Sequence, residues 1–378
     1  MAILSLRIAA FRNLADAEID TSAKDIFLVG KNGQGKTNFL EALYFCSYAS
    51  SFRGVKDAAL TRTGEAAFSA SAVLGPLSIK KNTEEILCPR ITIKVEKSRK
   101  TINLDGKKIE DRKDLLDTIP CVAFCHEDME FVSGSQERRR WFFDQTQSLY
   151  DQVYLEDLRK YRRVLKNRNA VLKNTKTSGD YRGAAELLDV LDPQLLEYGR
   201  RLMEKRLAAA ARFSTVFSPL YEEVALIKGI GVSYVSSWKS PDHLAERRTA
   251  DMAQGITLSG PHRDRYLFLQ TGDAVFGEAR NAQDFSETAS TGQRRLLALL
   301  LRSAQARCFS VEAGKTPVLL LDDVLLELDG EKRRRFLSVM PAYEQAFFTF
   351  LPEESYAGYG KADTLVYHVE NGVIAKNG

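Results

Sequence analysis

The sequence predicts an α/β fold that carries an antiparallel β subdomain and an inserted helical lobe. Three observations predict it. A glycine-rich loop stands between an apolar run and a helical run, a second apolar run ends in two carboxylates, and the long segment between them passes from short β-like runs to charged helical sequence. Apolar strands that alternate with helices are typical of a parallel sheet. The segment between the two apolar runs is long enough to form the β subdomain and the helical lobe.

The glycine-rich loop GKNGQGKT (30–37) follows a strand predicted at 26–29 and precedes a helix predicted at 38–48. Backbone N–H groups of such a loop, together with the positive end of the next helix, bind phosphate oxygens. We expect Lys36 to reach the β and γ phosphates of a nucleotide and Thr37 to hold Mg²⁺. The alternative is a glycine-rich turn without a ligand. The candidate binding residues are Gly30, Lys31, Asn32, Gly33, Gln34, Gly35, Lys36 and Thr37.

The character of the chain changes twice after this helix. Short β-like runs extend from 66 to 109 and include a hairpin turn at Asp105-Gly106. Two charged helical stretches follow at 136–176 and 181–223, and Pro193 and Pro219 predict that the second is interrupted. A sustained heptad repeat is absent from the sequence, which favours a helical lobe over a long coiled coil. The predicted domains are 1–134 (first part of lobe I), 135–288 (helical lobe II) and 289–378 (second part of lobe I).

The second apolar run, VLLLDD (318–323), predicts a buried parallel strand with an acidic carboxyl end. We expect Asp322 to hold Mg²⁺ together with Thr37, and Asp323 to polarise an attacking water. Apolar strands that end in acidic residues are common, so this motif alone is weak evidence for a nucleotide site. It becomes strong evidence because the same chain contains the phosphate loop. Asp322 lies 322 − 37 = 285 residues after Thr37, more than a compact GTPase or a small-molecule kinase needs.

A polar turn, STGQ (290–293), opens an apolar helix just before this strand. Ser290, Gly292 and Gln293 would present a hydroxyl, backbone N–H groups and an amide at a helix N-terminus, which suits phosphate. The turn resembles the signature of ABC-type ATPases, in which it completes the nucleotide site of a second subunit. The alternative is an ordinary helix N-cap.

Composition narrows the class of protein. Apolar residues make up 44% and charged residues 28% of 378 residues, as in a folded chain, and the net charge of +4 means that any nucleic-acid surface must be local. The N-terminus does not read as a signal sequence and no stretch is long enough to span a membrane, so we expect a cytoplasmic protein without a membrane partner.

One local concentration of positive charge lies in the first helical stretch. Arg159, Arg163 and Lys166 share a helical face and are the candidate DNA-binding residues. A solvated face partly neutralised by Glu156 and Asp157 is the alternative. The basic residues of this segment are Arg159, Lys160, Arg162, Arg163, Lys166, Arg168, Lys173 and Lys176.

The order of motifs FRNL, GKNGQGKT, SFRG, HEDMEFVSGSQERRRWFFDQ, LSGPHRD, STGQRR and LLLDD resembles the RecF family of DNA gap-repair proteins, which are SMC-like ABC ATPases. The resemblance covers nearly the whole chain, and its most specific parts are VSGSQERRRWFFD and LSGPHRD. It implies a homodimer, formed with ATP and Mg²⁺, that binds double-stranded DNA near single-strand gaps. It also implies weak DNA-stimulated ATP hydrolysis and help to RecO and RecR in delivering RecA.

The resemblance also implies roles for particular residues. Arg12 in FRNL matches an arginine that approaches the nucleotide, Asp322 the metal-binding acid, and Asp323 the general base. Ser290, Gly292 and Gln293 match the signature that acts across the dimer. Three departures bear on the rate of hydrolysis, namely Thr291 in the turn, Leu326 after the acidic strand, and Thr349 where transporter ATPases carry a histidine.

Other classes of protein stay open as alternatives. A transporter-coupled ABC ATPase predicts a histidine after the acidic strand, and an SMC or Rad50-like architectural protein predicts hundreds of residues of heptads. A small-molecule kinase predicts a shorter spacing between Thr37 and Asp322.

Overall fold

The computed structural model of the chain describes residues 1–76, 88–97, 99–111, 113–116, 118–240, 242–270, 283–326 and 328–376. Part of the predicted β-like region, 77–87, and a part of lobe II, 271–282, fall outside these residues. The chain forms two compact units. Unit 1 is Met1–Asp128 with Phe309–Gly378, and unit 2 is Met129–Cys308. Unit 2 extends past the predicted boundary at 288 and ends within a helix that spans Thr291–Ala313, and the predicted division into three segments stays a prediction.

Most of the strands lie in unit 1, and unit 2 is mostly helical. In chain order the strands are β1 (Ala2–Ala9), β2 (Ala17–Asp20), β3 (Asp25–Val29), β4 (Ala67–Gly75), β5 (Arg90–Glu96), β6 (Arg99–Leu104), β7 (Lys107–Lys108), β8 (Cys121–Phe124), β9 (Ile230–Val235), β10 (Arg265–Gln270), β11 (Val318–Leu321), β12 (Gln345–Phe350), β13 (Leu365–Glu370) and β14 (Val373–Lys376). In chain order the helices are α1 (Lys36–Tyr48), α2 (Lys113–Leu116), α3 (Glu130–Ser133), α4 (Gln136–Ser148), α5 (Gln152–Ser178), α6 (Tyr181–Ala225), α7 (His243–Gln254), α8 (Phe285–Thr288), α9 (Thr291–Ala313) and α10 (Gly330–Ser338).

A sheet with the strand order β14-β13-β3-β12-β11-β8 forms the centre of unit 1, and all its neighbouring pairs except β13 and β14 are parallel. Every residue of β3, β11 and β12 is buried. Strands covered on both faces read as continuous apolar runs, which is why DIFLV and VLLL are recognisable in the sequence. The predicted α/β class is confirmed.

A second sheet of unit 1 is antiparallel, in the order β2-β1-β4-β5-β6-β7. Its strand β5 alternates between buried and exposed residues, as expected when one face of a sheet meets the core and the other meets water. Asp105 and Gly106 both have positive φ and form the two-residue turn between β6 and β7. This conformation suits Asp-Gly, so the predicted hairpin and β subdomain are confirmed.

One buried side chain joins the two sheets of unit 1. Gln345, at the start of β12, accepts a hydrogen bond from the Ile3 N–H (3.0 Å) and donates to the carbonyl oxygens of Ile3 (3.0 Å) and Ala23 (2.9 Å). Phe45 of α1 packs near Phe11 and Phe68, with ring centroids 6.2 and 5.3 Å away. These contacts fix the helix that follows the glycine loop against the antiparallel sheet.

The long helices α5 and α6 pack together in unit 2. Their shared core contains Tyr161 and Val164 from α5 and Leu195 and Leu202 from α6. The predicted interruption of the second stretch is wrong, because α6 runs through both Pro193 and Pro219. Each proline removes one backbone donor and strains the preceding turn at a cost of about 3 kcal/mol, and burial of one face along the helix offsets that cost.

Arg168, one of the basic residues that the sequence places in the first helical stretch, does not lie at the surface. Its side chain is fully buried, and Nε donates to Asp192 (2.7 Å) while Nη1 donates to Asp251 (2.7 Å) and to the Thr257 hydroxyl (2.8 Å). The ion pair joins α5, α6 and α7 in the interior of unit 2. Arg168 is therefore a structural residue.

Arg168→Met should lower the free energy of unfolding by about 3–5 kcal/mol, because it leaves the buried Asp251 carboxylate without its cation. Chemical denaturation monitored by circular dichroism measures the change. The matched variant Lys166→Met removes a charge from an exposed position two residues away and should change stability by less than about 0.5 kcal/mol. Equal effects of the two variants would contradict the structural role.

Candidate functional site

The glycine loop leaves β3 at Gly30 and enters α1 at Lys36. Gly33 (φ +79°) and Gly35 (φ +121°) have backbone conformations that side chains disfavour, and a Cβ at Gly35 would lie 2.9 Å from Leu14 Cδ2. Gly35 is the N-cap of α1 and provides no side-chain cap. The first N–H groups of α1 therefore point toward the loop without a side-chain acceptor at the cap, which is the arrangement that binds phosphate.

Lys36 lies across the loop. Its side chain is buried, and Nζ donates to the carbonyl oxygens of Gly30 (2.6 Å) and Lys31 (3.3 Å). The ammonium group is thus held against the backbone at the start of the loop. A phosphate in the loop would offer it charged oxygens, which form stronger hydrogen bonds than carbonyls do.

Neighbouring turns hold the loop from two directions. The backbone carbonyl of Gln34 accepts a hydrogen bond from the Gly372 N–H (2.9 Å), and the side-chain Oε1 of Gln34 accepts one from the Asn371 N–H (2.5 Å). Asn13 donates from Nδ2 to the Gly33 carbonyl (3.3 Å). A Cβ at Gly372 would lie 1.9 Å from the Asn13 carbonyl oxygen. Sequence reasoning missed these contacts, although the Asn-Gly pair at 371–372 is a recognisable turn.

Thr37 and Asp322 meet although 285 residues separate them, and Thr37 Oγ1 donates to Asp322 Oδ1 at 2.9 Å. Burial, and then the neighbouring Asp323 carboxylate, raise the pKa of Asp322 to about 7. A hydroxyl oxygen and a carboxylate oxygen at this distance fit Mg²⁺, which proteins hold through one or two carboxylates together with phosphate oxygens of the substrate. A cation here would also offset the raised pKa, because it favours the charged carboxylate.

The Asp323 carboxylate is held in place by Thr349, which the sequence distinguishes only as the residue at the position where transporter ATPases carry a histidine. The Thr349 hydroxyl donates to Asp323 Oδ1 (2.7 Å) and also lies 2.7 Å from the Asp323 backbone nitrogen. Asp323 has φ +53°, so the chain turns sharply after β11, and the Thr349 hydroxyl lies within 3.5 Å of Asp322 Oδ1 as well. The single hydroxyl in the buried strand AFFTF is the signal that could have identified Thr349.

Arg12 lies beside α1, directly after the glycine loop. Its guanidinium donates from Nε to Glu41 Oε2 (2.9 Å) and from Nη2 to Glu41 Oε1 (3.1 Å), and Glu41 is fully buried. The Ser51 hydroxyl also donates to Glu41. The structure thus brings Arg12, Lys36, Thr37, Asp322 and Asp323 into unit 1.

The STGQ turn lies in unit 2 and is exposed. Ser290 N–H donates to Gln293 Oε1 (2.7 Å) and Gln293 N–H donates to Ser290 Oγ (3.2 Å), which is a reciprocal capping box at the start of α9. A Cβ added at Gly292 would meet no atom within 4 Å. The local alternative, an N-cap, is therefore present, and the turn is also open to a ligand from outside its own unit.

Arg159, Arg163 and Lys166 also lie in unit 2, and all three are exposed on α5. Arg162, on the same helix, is 58% exposed and lies 3.3 Å from the buried Asp144 carboxylate. Lys160 has Nζ 5.7 Å from the centre of the Tyr198 ring. The face shared by the three candidates is therefore a positively charged surface of unit 2.

His262 in GPHRD is held on both sides. Its Nδ1 is 2.7 Å from the Tyr161 hydroxyl, and its Nε2 is 3.0 Å from the Thr257 carbonyl oxygen. Because a carbonyl can only accept, Nε2 carries the proton and Nδ1 accepts from the tyrosine. Burial lowers the pKa of His262 to about 4, so it is a neutral turn residue at physiological pH.

Comparison with known proteins places the whole chain in one group. Residues 2–375 match the family described as RecF/RecN/SMC N terminal domain. The DNA replication and repair protein RecF of Treponema pallidum (strain Nichols) is 39% identical over 368 residues, which cover 96% of this chain and 97% of that protein. RecF of Bacillus subtilis (strain 168) is 30% identical over 396 residues and the match covers all of both chains.

Solved structures agree with this fold. A structure described as the recombination mediator protein RecF with ATP in the RecFOR pathway aligns with a TM-score of 0.83 and 26% identity, and the match covers 100% of this chain and 99% of that chain. The Smc head domain of Pyrococcus furiosus, bound to the C-terminal domain of ScpA, aligns with a TM-score of 0.54 and 16% identity over 99% and 95% of the two chains. The second similarity concerns the fold alone.

The histidine geometry predicts a pH dependence. Between pH 6.5 and 4, His262 binds a proton in the unfolded chain but stays neutral in the native protein. The free energy of unfolding should therefore fall by about 2–3 kcal/mol as pH decreases through that window. Urea denaturation at a series of pH values measures the fall, and His262→Gln should make it shallower. An imidazole NMR signal of His262 that titrates near pH 6.5 would contradict the assignment.

Proposed function

The chain belongs to the RecF family of DNA replication and repair proteins, and we propose that it is an ATP-gated, DNA-binding homodimer of recombinational gap repair. One observation carries the nucleotide part of this proposal. The Thr37–Asp322 hydrogen bond of 2.9 Å joins the glycine loop to the acidic strand, as a shared Mg²⁺ site requires. Bound ATP in a structurally similar RecF protein supports the same ligand here.

Each group of the loop has a separate task in binding ATP. Backbone N–H groups of 30–37 and the N-terminus of α1 hold the phosphates, and Lys36 shifts from the Gly30 and Lys31 carbonyls to phosphate oxygens. Thr37 and Asp322 hold Mg²⁺, which neutralises phosphate charge. Arg12 is held by its ion pair with Glu41 of α1, and its approach to the nucleotide is proposed from family membership.

Asp323 is the proposed general base for slow, DNA-stimulated hydrolysis. Its carboxylate accepts a hydrogen bond from Thr349 (2.7 Å), which fixes its direction and leaves its second oxygen to accept a proton from water. A neutral hydroxyl gives no positive charge to a developing γ-phosphate, unlike a protonated histidine. The threonine therefore supports a site in which ATP acts mainly as a switch.

Dimerisation follows from the exposed turn at the start of α9. Ser290 and Gln293 cap each other, and Gly292 leaves open space beside the first N–H groups of a 23-residue helix. We propose that Ser290, Gly292 and Gln293 bind the γ-phosphate of ATP held by the loop of a second copy. Two nucleotides would then lie between two protomers.

DNA contact is assigned to the exposed basic face of α5. Arg159, Arg163 and Lys166 present cations along one rigid helix, which suits the phosphates of double-stranded DNA and carries no base specificity. Preference for gap junctions, and help to RecO and RecR in loading RecA, are proposed from family membership, with support from the RecFOR pathway named for a structural relative.

The alternative, an ATPase subunit coupled to a membrane transporter, has less support. Thr349 occupies the position at which such ATPases place a histidine.

Lys36→Ala should abolish ATP-dependent dimerisation, because the cation that neutralises the β and γ phosphates is lost. Asp323→Asn should keep ATP binding and extend the life of the dimer, because the proposed base is removed. Analytical ultracentrifugation with and without ATP and Mg²⁺ measures both. Lys56→Ala, an exposed lysine of unit 1, is the matched control. A Lys36→Ala protein that still dimerises with ATP would contradict the loop assignment.

Arg163→Glu combined with Lys166→Glu should weaken binding to blunt duplex DNA and lower the log–log salt slope by about 1.8, the value for two phosphates. ATP binding should be unchanged. Fluorescence anisotropy at several salt concentrations measures affinity and slope, and Arg200→Glu with Lys228→Glu, exposed elsewhere in unit 2, gives the same change in charge. An unchanged duplex affinity would place the DNA surface elsewhere.

A further inference from the structure

Unit 2 contains a cavity of about 620 Å³ that the proposed nucleotide site does not use. It opens between the first turns of α4, the middle of α5 and the GPHRD turn. Its volume falls within the range of about 300–1,000 Å³ that is typical of small-ligand sites. The two most specific sequence motifs of the chain, VSGSQERRRWFFD and LSGPHRD, both contribute to its wall.

The cavity is positively charged. Five arginines line it against two carboxylates, and one of the two, Asp144, is already paired with Arg206 at 2.8 Å. Burial, and then the nearby Arg206 guanidinium, lower the pKa of Arg140. His262 is neutral at physiological pH and adds no charge. The lining arginines are Arg138, Arg140, Arg162, Arg206 and Arg263.

The helix that forms one wall adds to this field. α4 has 13 residues, and its N-cap Ser135 lines the cavity without making a side-chain cap hydrogen bond. The first N–H groups of α4 and the positive end of its dipole therefore lie at the cavity. Together with the arginines they would bind a phosphate group strongly.

An aromatic ring stands beside these cations. Trp141 lines the cavity, is 38% exposed, and stacks with one face on Phe131 at a centroid distance of 5.7 Å and an interplanar angle of 25°. Phe131 supports the indole from behind and leaves the rest of it to the cavity. A supported, exposed indole next to arginines is the kind of platform on which nucleobases stack.

The cavity is also continuous with the basic face of α5. Leu158, Tyr161, Arg162 and Leu165 of α5 line it, and Arg159, Arg163 and Lys166 are exposed on neighbouring positions of the same helix. A strand whose phosphates follow that face would therefore reach the cavity within one or two helical turns.

We propose that this cavity binds one unstacked nucleotide of single-stranded DNA, with its phosphate among the arginines and its base on Trp141. The inference rests on the proposed function, because it supplies the single-strand half of a gap junction while α5 holds the duplex. An acidic peptide would use the arginines equally well but would not need the exposed indole.

Intrinsic fluorescence tests the stacking directly. The chain has two tryptophans, and Trp238 is only 5% exposed. Titration with a short single-stranded oligothymidylate should quench the Trp141 emission, and Trp141→Phe should remove that change. An abasic oligonucleotide of the same length, inorganic phosphate and a polyglutamate of equal charge should leave the emission unquenched. Equal quenching by polyglutamate, or equal affinity for the abasic strand, would overturn the proposal.

Affinity measurements separate stacking from charge. Trp141→Ala should weaken oligothymidylate binding about fivefold to a hundredfold, the effect of one base on an aromatic ring, and Trp141→Phe should restore most of it. Arg138→Ala should weaken binding further. Tyr181→Ala and Arg182→Ala, an exposed aromatic and an exposed arginine of α6 outside the cavity, are the matched controls. Circular dichroism confirms that each variant is folded.

Duplex DNA distinguishes this inference from the proposed function. The Trp141 and Arg138 variants should keep their affinity for blunt duplex, which depends on α5. If Trp141→Ala leaves single-strand affinity unchanged while Arg163→Glu with Lys166→Glu abolishes duplex binding, the cavity proposal is wrong and the proposed function stands. If the wild-type protein binds no DNA of either kind, both are wrong.

Discussion

The hydrogen bond between Thr37 and Asp322 depends on the register of the parallel sheet. Leu321 at the end of β11 pairs with Phe348 of β12, and Phe350 two residues later pairs with Val29 of β3. The carboxyl ends of β3 and β11 therefore lie at the same edge, where the glycine loop and the acidic turn begin. A shift of one residue in either pairing would turn every side chain of the strand to the other face and separate the two groups.

Such a site tolerates a long insertion for a physical reason. The entropy cost of closing a loop grows only with the logarithm of its length, by about 0.6 kcal/mol per doubling. The 285-residue separation of Thr37 and Asp322 therefore costs only about that much more than a separation half as long. The insertion also has a core of its own, in which Tyr154, Leu158 and Leu202 are almost fully buried. Sheet and insertion can therefore be stable for separate reasons, while the nucleotide site needs both ends of the chain in one sheet.

The sequence predicts those features that depend on local pattern. Continuous apolar runs identified β3 and β11, short β-like runs located the antiparallel sheet, and glycine spacing identified the loop. Tertiary contacts decided the rest. Packing carries α6 through two prolines, and a pair of carboxylates draws Arg168 inward from a stretch of exposed cations. The hydroxyl of Thr349 stands out in an apolar strand, but its role could not be assigned, because its partners, Asp322 and Asp323, are more than 25 residues away and meet it only through strand pairing.

Arg168 is one of several buried arginines of unit 2 that are paired with aspartates. Arg139, Arg168 and Arg206 are buried and paired with Asp284, Asp251 and Asp144. Each pair is neutral, so it removes equal positive and negative charge from the surface, and the basic face of α5 takes its charge from the exposed Arg159, Arg163 and Lys166. Burial of charge pairs stabilises a fold poorly, since desolvation cancels much of the attraction. In the cavity the Arg206–Asp144 pair likewise cancels, and the remaining lining arginines outnumber Glu137, the remaining lining carboxylate, so anionic ligands bind where that positive field is concentrated.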